Sequence, residues 1–144
     1  MPTIAFCPTH DGEHPLAGAA RTALVRTPIV VPAPAPDARW VAHTAGSLAS
    51  TSDALVLVLH GEQAVHAAAI GFARKALRRP AVAYVLTDPR MPEFGGDYGD
   101  WPDAPVTVVL SDQAPDFALD AANQARLRGW TVVHTPLVDL LAGF

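Results

Sequence analysis

The sequence predicts an α/β domain built around a mainly parallel sheet, and three observations indicate this class. Six strand-like segments are nearly continuous apolar runs, as expected for strands that are covered on both faces. Segments with apolar residues three or four apart, typical of half-buried helices, separate these runs along almost the whole chain. Half of the residues are apolar and only 17% are charged, so the chain is rich enough in apolar side chains for such a core.

The predicted strands share short length and little alternation between apolar and polar residues. At 144 residues the chain is about the size of one domain. It contains no internal repeat and no long linker, so we expect a single domain over residues 1–144. The strands are predicted at Thr3 to Phe6, Pro28 to Val31, Ala54 to Leu59, Ala81 to Leu86, Val106 to Leu110 and Trp130 to Val133.

Five helices are predicted between and after these strands. Pro15 suits the first helical position, and Gly129 suits the end of the fourth helix. The alternation of strand and helix predicts a three-layer, doubly wound domain of flavodoxin-like or Rossmann-like type. The apolar positions are Leu16, Ala20 and Ala23 in the first helix, Val41, Ala45 and Leu48 in the second, and Val65, Ala69, Phe72 and Ala76 in the third, which runs from Ala64 to Arg79; the fourth runs from Pro115 to Arg128 and the fifth from Leu137 to Phe144.

Four cations, Arg74, Lys75, Arg78 and Arg79, come at the end of the third helix, and Pro80 stops it. Cations at that end complement the helix dipole, which favours a structural role over a phosphate site.

The segment from Asp88 to Ala104 breaks the alternation with several prolines, glycines and acidic residues. Loops of this length in compact domains are usually lids, binding loops or disordered surface. A lid or an oligomer contact is favoured over disorder, because a purely solvated loop needs no apolar anchors. The anchors are Met91, Phe94, Tyr98 and Trp101.

Composition excludes several classes of function. The net charge of −4 disfavours nucleic acid as a partner, and no apolar run approaches the roughly 18 residues of a membrane span. The start of the chain lacks a secretory signal pattern, so we expect a cytoplasmic protein without a membrane partner. Cys7 is the single cysteine, which excludes an internal disulfide and a thiolate zinc cluster. No dinucleotide fingerprint or P-loop occurs, so no cofactor is expected.

Polar residues follow the predicted strands where each one ends. Ligands of open parallel sheets bind outside these carboxyl ends, near the point where the strand order reverses. His10 and His60 are the strongest candidates, since neither is a preferred helix cap, whereas Ser111 and Asp112 are interpreted mainly as turn and cap residues. The predicted pocket residues are Cys7, Thr9, His10 and Asp11 after the first strand, His60, Gly61 and Glu62 after the third, and Asp88 and Arg90 after the fourth.

The stretch of roughly residues 2 to 90 resembles the nucleoside 2-deoxyribosyltransferase family and its nucleotide N-glycosidase relatives. The resemblance lies in Ser52-Asp53 before an apolar strand, the His60-Gly61 turn, a helix with Ile70-Gly71-Phe72-Ala73, and a strand that ends Thr87-Asp88-Pro89-Arg90. It implies a nucleoside or nucleotide ligand and a homo-oligomer. The family's nucleophilic glutamate aligns with Ala69, and its usual Asp-Gly turn is His60-Gly61 here.

An alanine methyl cannot form a glycosyl-enzyme ester, so the family's mechanism cannot run through Ala69. One hypothesis is N-glycosidic hydrolysis or transfer through displaced residues, namely His60, Glu62, His66 or Asp88. Glu62 and His66 are four apart at the start of the third helix, so they could share a face as an acid/base couple. Direct hydrolysis would need one carboxylate to stabilise the oxocarbenium-like centre and activate water.

Two further hypotheses stay open. The chain could be a catalytically silent ligand-binding or assembly protein, for which the small residues Ala67, Ala68 and Ala69 would allow close helix packing. Less favoured is a metal-dependent enzyme with a site built from His10, His14 and the residues after the third strand. Cys7 could act as a nucleophile beside a histidine, but a cysteine at a strand end is more often a small buried apolar residue.

Overall fold

The computed structural model describes residues 1–34, 37–51 and 53–144. Within these residues, six parallel strands form one sheet in the order β2-β1-β3-β4-β5-β6, so the strand order reverses between β1 and β3. All neighbouring strands pair in parallel. The strands are β1 (Thr3–Phe6), β2 (Ile29–Val30), β3 (Leu55–His60), β4 (Ala83–Thr87), β5 (Val106–Val109) and β6 (Thr131–Val133).

Helices cover both faces of the sheet, as the doubly wound class requires. A 3₁₀ segment over Gly61–His66 leads directly into α3, and two shorter ones lie at Asp37–Arg39 and Gly96–Tyr98. No helix among the described residues is long and apolar enough to cross a membrane. The α-helices are α1 (Ala17–Ala23), α2 (Trp40–Ala49), α3 (Ala67–Ala76), α4 (Asp116–Leu127) and α5 (Leu137–Leu141).

The predicted fold class is confirmed, and each predicted strand and helix has a counterpart in the structure. Alternate residues of each strand point to opposite faces, so each strand contributes to two cores. In β3, Leu55, Leu57 and Leu59 pack on the face covered by α2, α3 and α4, which we call the three-helix face. Val56 and Val58 pack on the opposite face, covered by α1 and α5, which we call the two-helix face.

The predicted apolar stripe of the third helix is wrong. Its first part is a 3₁₀ segment, which turns the following α-helix relative to an α-helix that starts at Ala64. The buried side of α3 therefore carries Ala67, Ile70 and Arg74, whereas Phe72 is half exposed.

Arg74 is one of the four cations for which the sequence favours a structural role at this helix end, and the structure shows it buried. Its side chain is buried, and its guanidinium donates hydrogen bonds to the carbonyl oxygens of Leu48 (2.8 Å), Thr51 (3.1 Å) and Arg79 (3.2 Å). Two of these carbonyls belong to the end of α2 and the turn after it, where backbone acceptors lack helical partners. Arg74 thus joins the end of α2 to α3.

The segment from Asp88 to Ala104 is packed against the three-helix face. Trp101 is buried, and its ring lies 5.2 Å from that of Tyr84 and 5.8 Å from that of Trp130. Phe94 joins this cluster, and the Arg128 guanidinium lies 4.3 Å from the centre of its ring. Phe94 and Trp101 are thus anchors within the chain's own core.

Candidate functional site

Two cavities open at the carboxyl edge of the sheet, one on each face, and His60 lines both. The larger one, which we call the cleft, has a volume of about 750 Å³ and lies at the β1/β3 switch point on the three-helix face. The smaller one, which we call the α1/α5 cavity, has a volume of about 320 Å³ and lies on the two-helix face. The cleft contains most of the predicted site residues: Thr9, His10, Asp11, Gly61, Glu62, His66 and Arg90.

Two turns hold the polar residues of the cleft in place. After β1, the backbone N–H of Thr9 donates to the carbonyl oxygen of Gly12 at 2.8 Å, which closes a tight turn around His10 and Asp11. After β3, Gly61 adopts φ +57°, a left-handed conformation that glycine takes without steric cost. The Arg90 N–H then donates to the Gly61 carbonyl at 3.0 Å and joins the loops after β3 and β4.

Carboxylates dominate the charge of the cleft. Asp11, Glu62 and Glu93 line it, and Arg90 is the cation among its described lining residues. An Arg90 guanidinium nitrogen lies 3.1 Å from a Glu62 carboxylate oxygen, and the guanidinium carbon lies 4.4 Å from the centre of the Phe117 ring. Among the described lining residues, three carboxylates therefore outnumber one guanidinium, which is already paired.

An aromatic pair forms one wall of the cleft. The rings of Trp40 and His66 are stacked with centroids 5.2 Å apart and an interplanar angle of 29°. Trp40 is buried, and its indole N–H donates to the Pro8 carbonyl at 3.1 Å, which fixes the ring. Burial lowers the pKa of His66, partly opposed by Glu93, so the ring is neutral at pH 7 and presents a flat face.

The prediction that Glu62 and His66 lie on the same side of an α-helix is wrong, because both belong to a 3₁₀ segment. In a 3₁₀ helix residues three apart are aligned, so residues four apart point about 120° away from each other. Glu62 instead pairs with Arg90, and His66 stacks on Trp40. The acid/base couple proposed from their spacing therefore lacks its geometric basis.

The side chain of His60 belongs to the two-helix face, because it continues the register of Val56 and Val58. Its Nδ1 lies 2.8 Å from the hydroxyl oxygen of Thr87, which also lies 3.0 Å from Nε2 of His14. The His14 and His60 rings meet edge to face at 5.3 Å. Burial lowers the pKa of both imidazoles, that of His14 to about 3, so both are neutral at pH 7.

Asp88 lies at the rim of the α1/α5 cavity and is held by the neighbouring loop. Its carboxylate accepts hydrogen bonds from the backbone N–H of Ser111 at 2.8 Å and from the Ser111 hydroxyl at 2.5 Å. Asp88 also has φ +41°, a conformation that is uncommon outside glycine and that aspartate tolerates better than most residues. Ser111 therefore stabilises the turn at Asp88 after β4, in addition to its predicted role in its own turn after β5.

Cys7, predicted as a ligand-binding residue, is instead part of the core. Its side chain is fully buried on the three-helix face, and burial raises the thiol pKa to about 12. The thiol is therefore protonated at neutral pH and is a poor nucleophile. The metal hypothesis has no geometric support either: no three His, Cys, Asp or Glu side chains of residues 1–34, 37–51 and 53–144 are grouped to hold an ion.

Among the residues that carry the family resemblance, Gly71 has a local structural role. Ala69 is half-buried on α3, and Ser52 lies outside the described residues. A Cβ atom on Gly71 would clash with the Tyr84 hydroxyl, so the glycine allows the close packing of α3 on β4. A comparison with protein-family models and with curated proteins returns no match. Any functional conclusion therefore rests on the residues and their geometry.

The sequence indicates His14 only as a possible metal ligand and gives no signal for Trp40. His14 lies before α1 and contacts Thr87 and His60, whereas Trp40, the first residue of α2, lines the cleft. His14 follows a turn rather than a strand, and its contact with Thr87 spans 73 positions of sequence. The sequence does predict that Thr87 lies on the two-helix face, because Thr87 continues the alternation of Ala83 and Val85 in β4.

Proposed function

We propose that the protein binds an uncharged nucleoside in the cleft. The observation that carries this proposal is the combination, at the switch point of a doubly wound sheet, of paired charge and a stacked aromatic wall. Such switch points are where this class of fold binds ligands. At about 750 Å³ the cleft lies within the range of small-molecule sites.

The charge of the cleft favours a nucleoside over a nucleotide. Three carboxylates, those of Asp11, Glu62 and Glu93, face a single guanidinium. Ribose hydroxyls donate hydrogen bonds to carboxylates, whereas a 5′-phosphate offers mainly acceptors at neutral pH and adds a charge of about −1.5 to −2. The carboxylates would therefore bind the sugar and repel a 5′-phosphate.

The aromatic wall provides a place for the base. A planar base stacked on the exposed side of His66 would extend the existing Trp40–His66 pair, and offset stacking of this kind contributes about 0.5–1.5 kcal/mol beyond burial. The resemblance to deoxyribosyltransferases and N-glycosidases points to the same class of ligand.

Binding without bond cleavage is the form of the proposal that the geometry favours. Of the four candidate catalytic residues, Glu62 is paired with Arg90, His66 is stacked on Trp40, and His60 is hydrogen-bonded to Thr87 on the other face. Asp88 is held by Ser111. Hydrolysis would need a carboxylate free to stabilise the anomeric centre, and Asp11 of the cleft is the candidate that such activity would implicate.

Isothermal titration calorimetry with the four common ribonucleosides and their 5′-monophosphates tests the proposal. We expect at least one nucleoside to bind at least tenfold tighter than its monophosphate. Asp11→Asn in the cleft should weaken that binding several-fold, whereas Asp112→Asn, which alters the α1/α5 cavity, should leave it unchanged. Absence of binding by every nucleoside, or tighter binding of the monophosphates, would overturn the proposal.

The same samples distinguish a binder from an enzyme. Chromatography of nucleosides after prolonged incubation should show no free base. Free base that disappears with Asp11→Asn would establish N-glycosidic cleavage in the cleft, and free base that persists with this variant would place the reaction elsewhere or in a contaminant.

A further inference from the structure

We propose that the α1/α5 cavity is a second ligand site, which takes a small, uncharged, mostly apolar molecule through an O–H or N–H group that donates to Nε2 of His60. The site can be tested apart from the nucleoside proposal, because His60 is the one described lining residue that it shares with the cleft. Its other walls come from Leu16 before α1, from α5 and from the ends of β4 to β6. Three observations carry the inference: the hydrogen bonds of the histidine pair, the chemistry of the walls and the charge at the rim.

One assignment of the protons satisfies all of the hydrogen bonds around Thr87, and the proposal adopts it. The backbone N–H of Leu16 donates to Nδ1 of His14 at 3.0 Å, so the proton of this neutral imidazole is on Nε2 and is donated to the Thr87 hydroxyl oxygen. The Thr87 hydroxyl donates to the carbonyl oxygen of Leu59 at 3.3 Å. Its oxygen then accepts from His60 Nδ1–H at 2.8 Å. This assignment satisfies every contact of the hydroxyl.

The consequence is a fixed tautomer at the cavity. With the proton of neutral His60 on Nδ1, its Nε2 carries a lone pair and accepts a hydrogen bond from a ligand. His14 and Thr87 do not need to touch that ligand. They are positioning residues, which orient the imidazole from behind as carbonyl or carboxylate partners orient histidines in other sites.

The walls select for an apolar body. Val109, Leu110 and Leu137 are buried side chains that line the cavity, and Leu16, Pro136 and Val138 complete the wall. A volume of about 320 Å³ is at the lower end of the range for small-molecule sites and suits a single substituted ring. A mostly apolar pocket with a few convergent polar groups is the usual form of such sites.

The rim selects against anions. The carboxylates of Asp88 and Asp112 lie at the mouth, and the described lining residues include no lysine or arginine. An anionic ligand would meet like charge and an unprotonated ring nitrogen, so a neutral hydrogen-bond donor is the chemical class that fits.

Phenol, toluene and benzoate are matched probes for the three elements of the proposal. In ¹H–¹⁵N NMR titrations at pH 7 we expect phenol to bind about tenfold tighter than toluene and to shift the His60 Nε2 resonance, because it alone forms the hydrogen bond. Benzoate should bind at least tenfold more weakly than phenol. In the ligand-free protein, the His60 side-chain spectrum should show a protonated Nδ1.

Three variants distinguish the role of the His60 hydrogen bond from a general effect on the structure. His60→Phe should reduce the preference for phenol over toluene to less than about twofold. Thr87→Val should favour the opposite tautomer of His60 and weaken phenol binding, whereas Thr87→Ser, which keeps the hydroxyl, should preserve both. If Thr87→Val fails to fold, two measurements still test whether the Thr87 hydroxyl sets the tautomer of His60. These are the tautomer of His60 in the ligand-free natural protein and its tautomer in Thr87→Ser.

The proposal is overturned if toluene binds as tightly as phenol, if benzoate binds more tightly than phenol, or if Nδ1 of His60 is unprotonated. It is equally overturned if phenol shifts only resonances of the cleft. No nucleoside is present in these titrations, so their failure leaves the nucleoside proposal untouched, and the absence of nucleoside binding would leave this one untouched.

Discussion

The two faces of the sheet place polar groups at the same carboxyl edge in opposite ways. On the three-helix face, Glu62 and Arg90 pair near solvent, with side chains 68% and 48% exposed. On the two-helix face, His14 and Thr87 are 2% and 3% exposed and lie within a hydrogen-bonded network. Replacing the exposed charges of the cleft should change the free energy of unfolding little. Replacing the buried polar groups beside the α1/α5 cavity should lower it substantially.

The difference follows from what each group costs when it is left unpaired. A charge near water loses little when its partner is removed, and exposed ion pairs contribute about 0–1 kcal/mol. A buried donor or acceptor without a partner costs roughly 1–3 kcal/mol. We therefore expect substitutions of the exposed cleft charges to have little effect on stability, whereas substitutions in the His14–Thr87–His60 network should lower it.

The largest expected effect is the acid sensitivity that His14 gives the fold. Its pKa is lowered to about 3 in the folded chain by burial and by His60, against about 6.5 when unfolded. Between these values only the unfolded state takes up the proton, so this group's contribution to stability is complete above about pH 6.5 and is lost as pH falls towards 3. Linkage predicts a loss of about 3 kcal/mol between pH 7 and pH 4.

Urea denaturation at several pH values measures this contribution. His14→Gln cannot titrate and should flatten the pH dependence of the unfolding free energy by most of that amount. His43→Gln replaces an exposed histidine of α2 and serves as the matched control, which should keep the natural slope. Equal slopes for all three proteins would mean that His14 is solvated, and the contrast between the two faces would then fail.

Much of the fold could be predicted from the sequence, because the signals are local. Continuous apolar runs define β3 and β4, and Gly129 ends the fourth helix as predicted. The 3₁₀ form of Gly61–His66 has no such local signal, and it rotates Glu62 and His66 out of their expected alignment.

The candidate site could be predicted only as an edge. The residues after β1, β3 and β4 do meet at the carboxyl edge, but the sequence pattern predicts one pocket where the structure has two cavities. Strand register divides them, since His60 follows Val56 and Val58 onto the two-helix face. The alternation of side chains along β3 predicts this division. The hydrogen bond between His14 and Thr87 has no local sequence signal, because the two residues are far apart in the chain.

The next largest effect is expected at Asp88, which lies at the rim of the α1/α5 cavity. Asp88→Ala removes two hydrogen bonds from Ser111 and leaves a residue that tolerates φ +41° poorly. We expect a loss of about 2 kcal/mol in the free energy of unfolding. Asp88→Asn keeps an acceptor and the turn preference, so it should cost less than half as much.

Thermal and urea denaturation of both variants measure this difference, with Asp112→Ala as the control. Asp112 is an exposed neighbour on the same rim, and its replacement should change stability by less than about 0.5 kcal/mol. Equal losses for Asp88→Ala and Asp112→Ala would show that the rim is as replaceable as the cleft.

The smallest effect on stability is expected for Glu62→Gln in the cleft. Because the Glu62–Arg90 pair is exposed, the free energy of unfolding should change by less than about 0.5 kcal/mol. Ligand selectivity should change more, since the variant leaves Arg90 without its carboxylate partner and removes one of the three negative charges of the lining.

Calorimetry should then show that the preference for a nucleoside over its 5′-monophosphate narrows several-fold in Glu62→Gln and widens in Arg90→Gln. Opposite shifts from the two partners of one ion pair are what a charge-based selectivity requires, because one variant unmasks the guanidinium and the other removes it. Shifts in the same direction, or a stability loss above about 1 kcal/mol, would mean that the pair supports the cleft structurally. The polar groups of the cleft would then stabilise the fold as those of the α1/α5 cavity do, and the contrast between the two faces would fail.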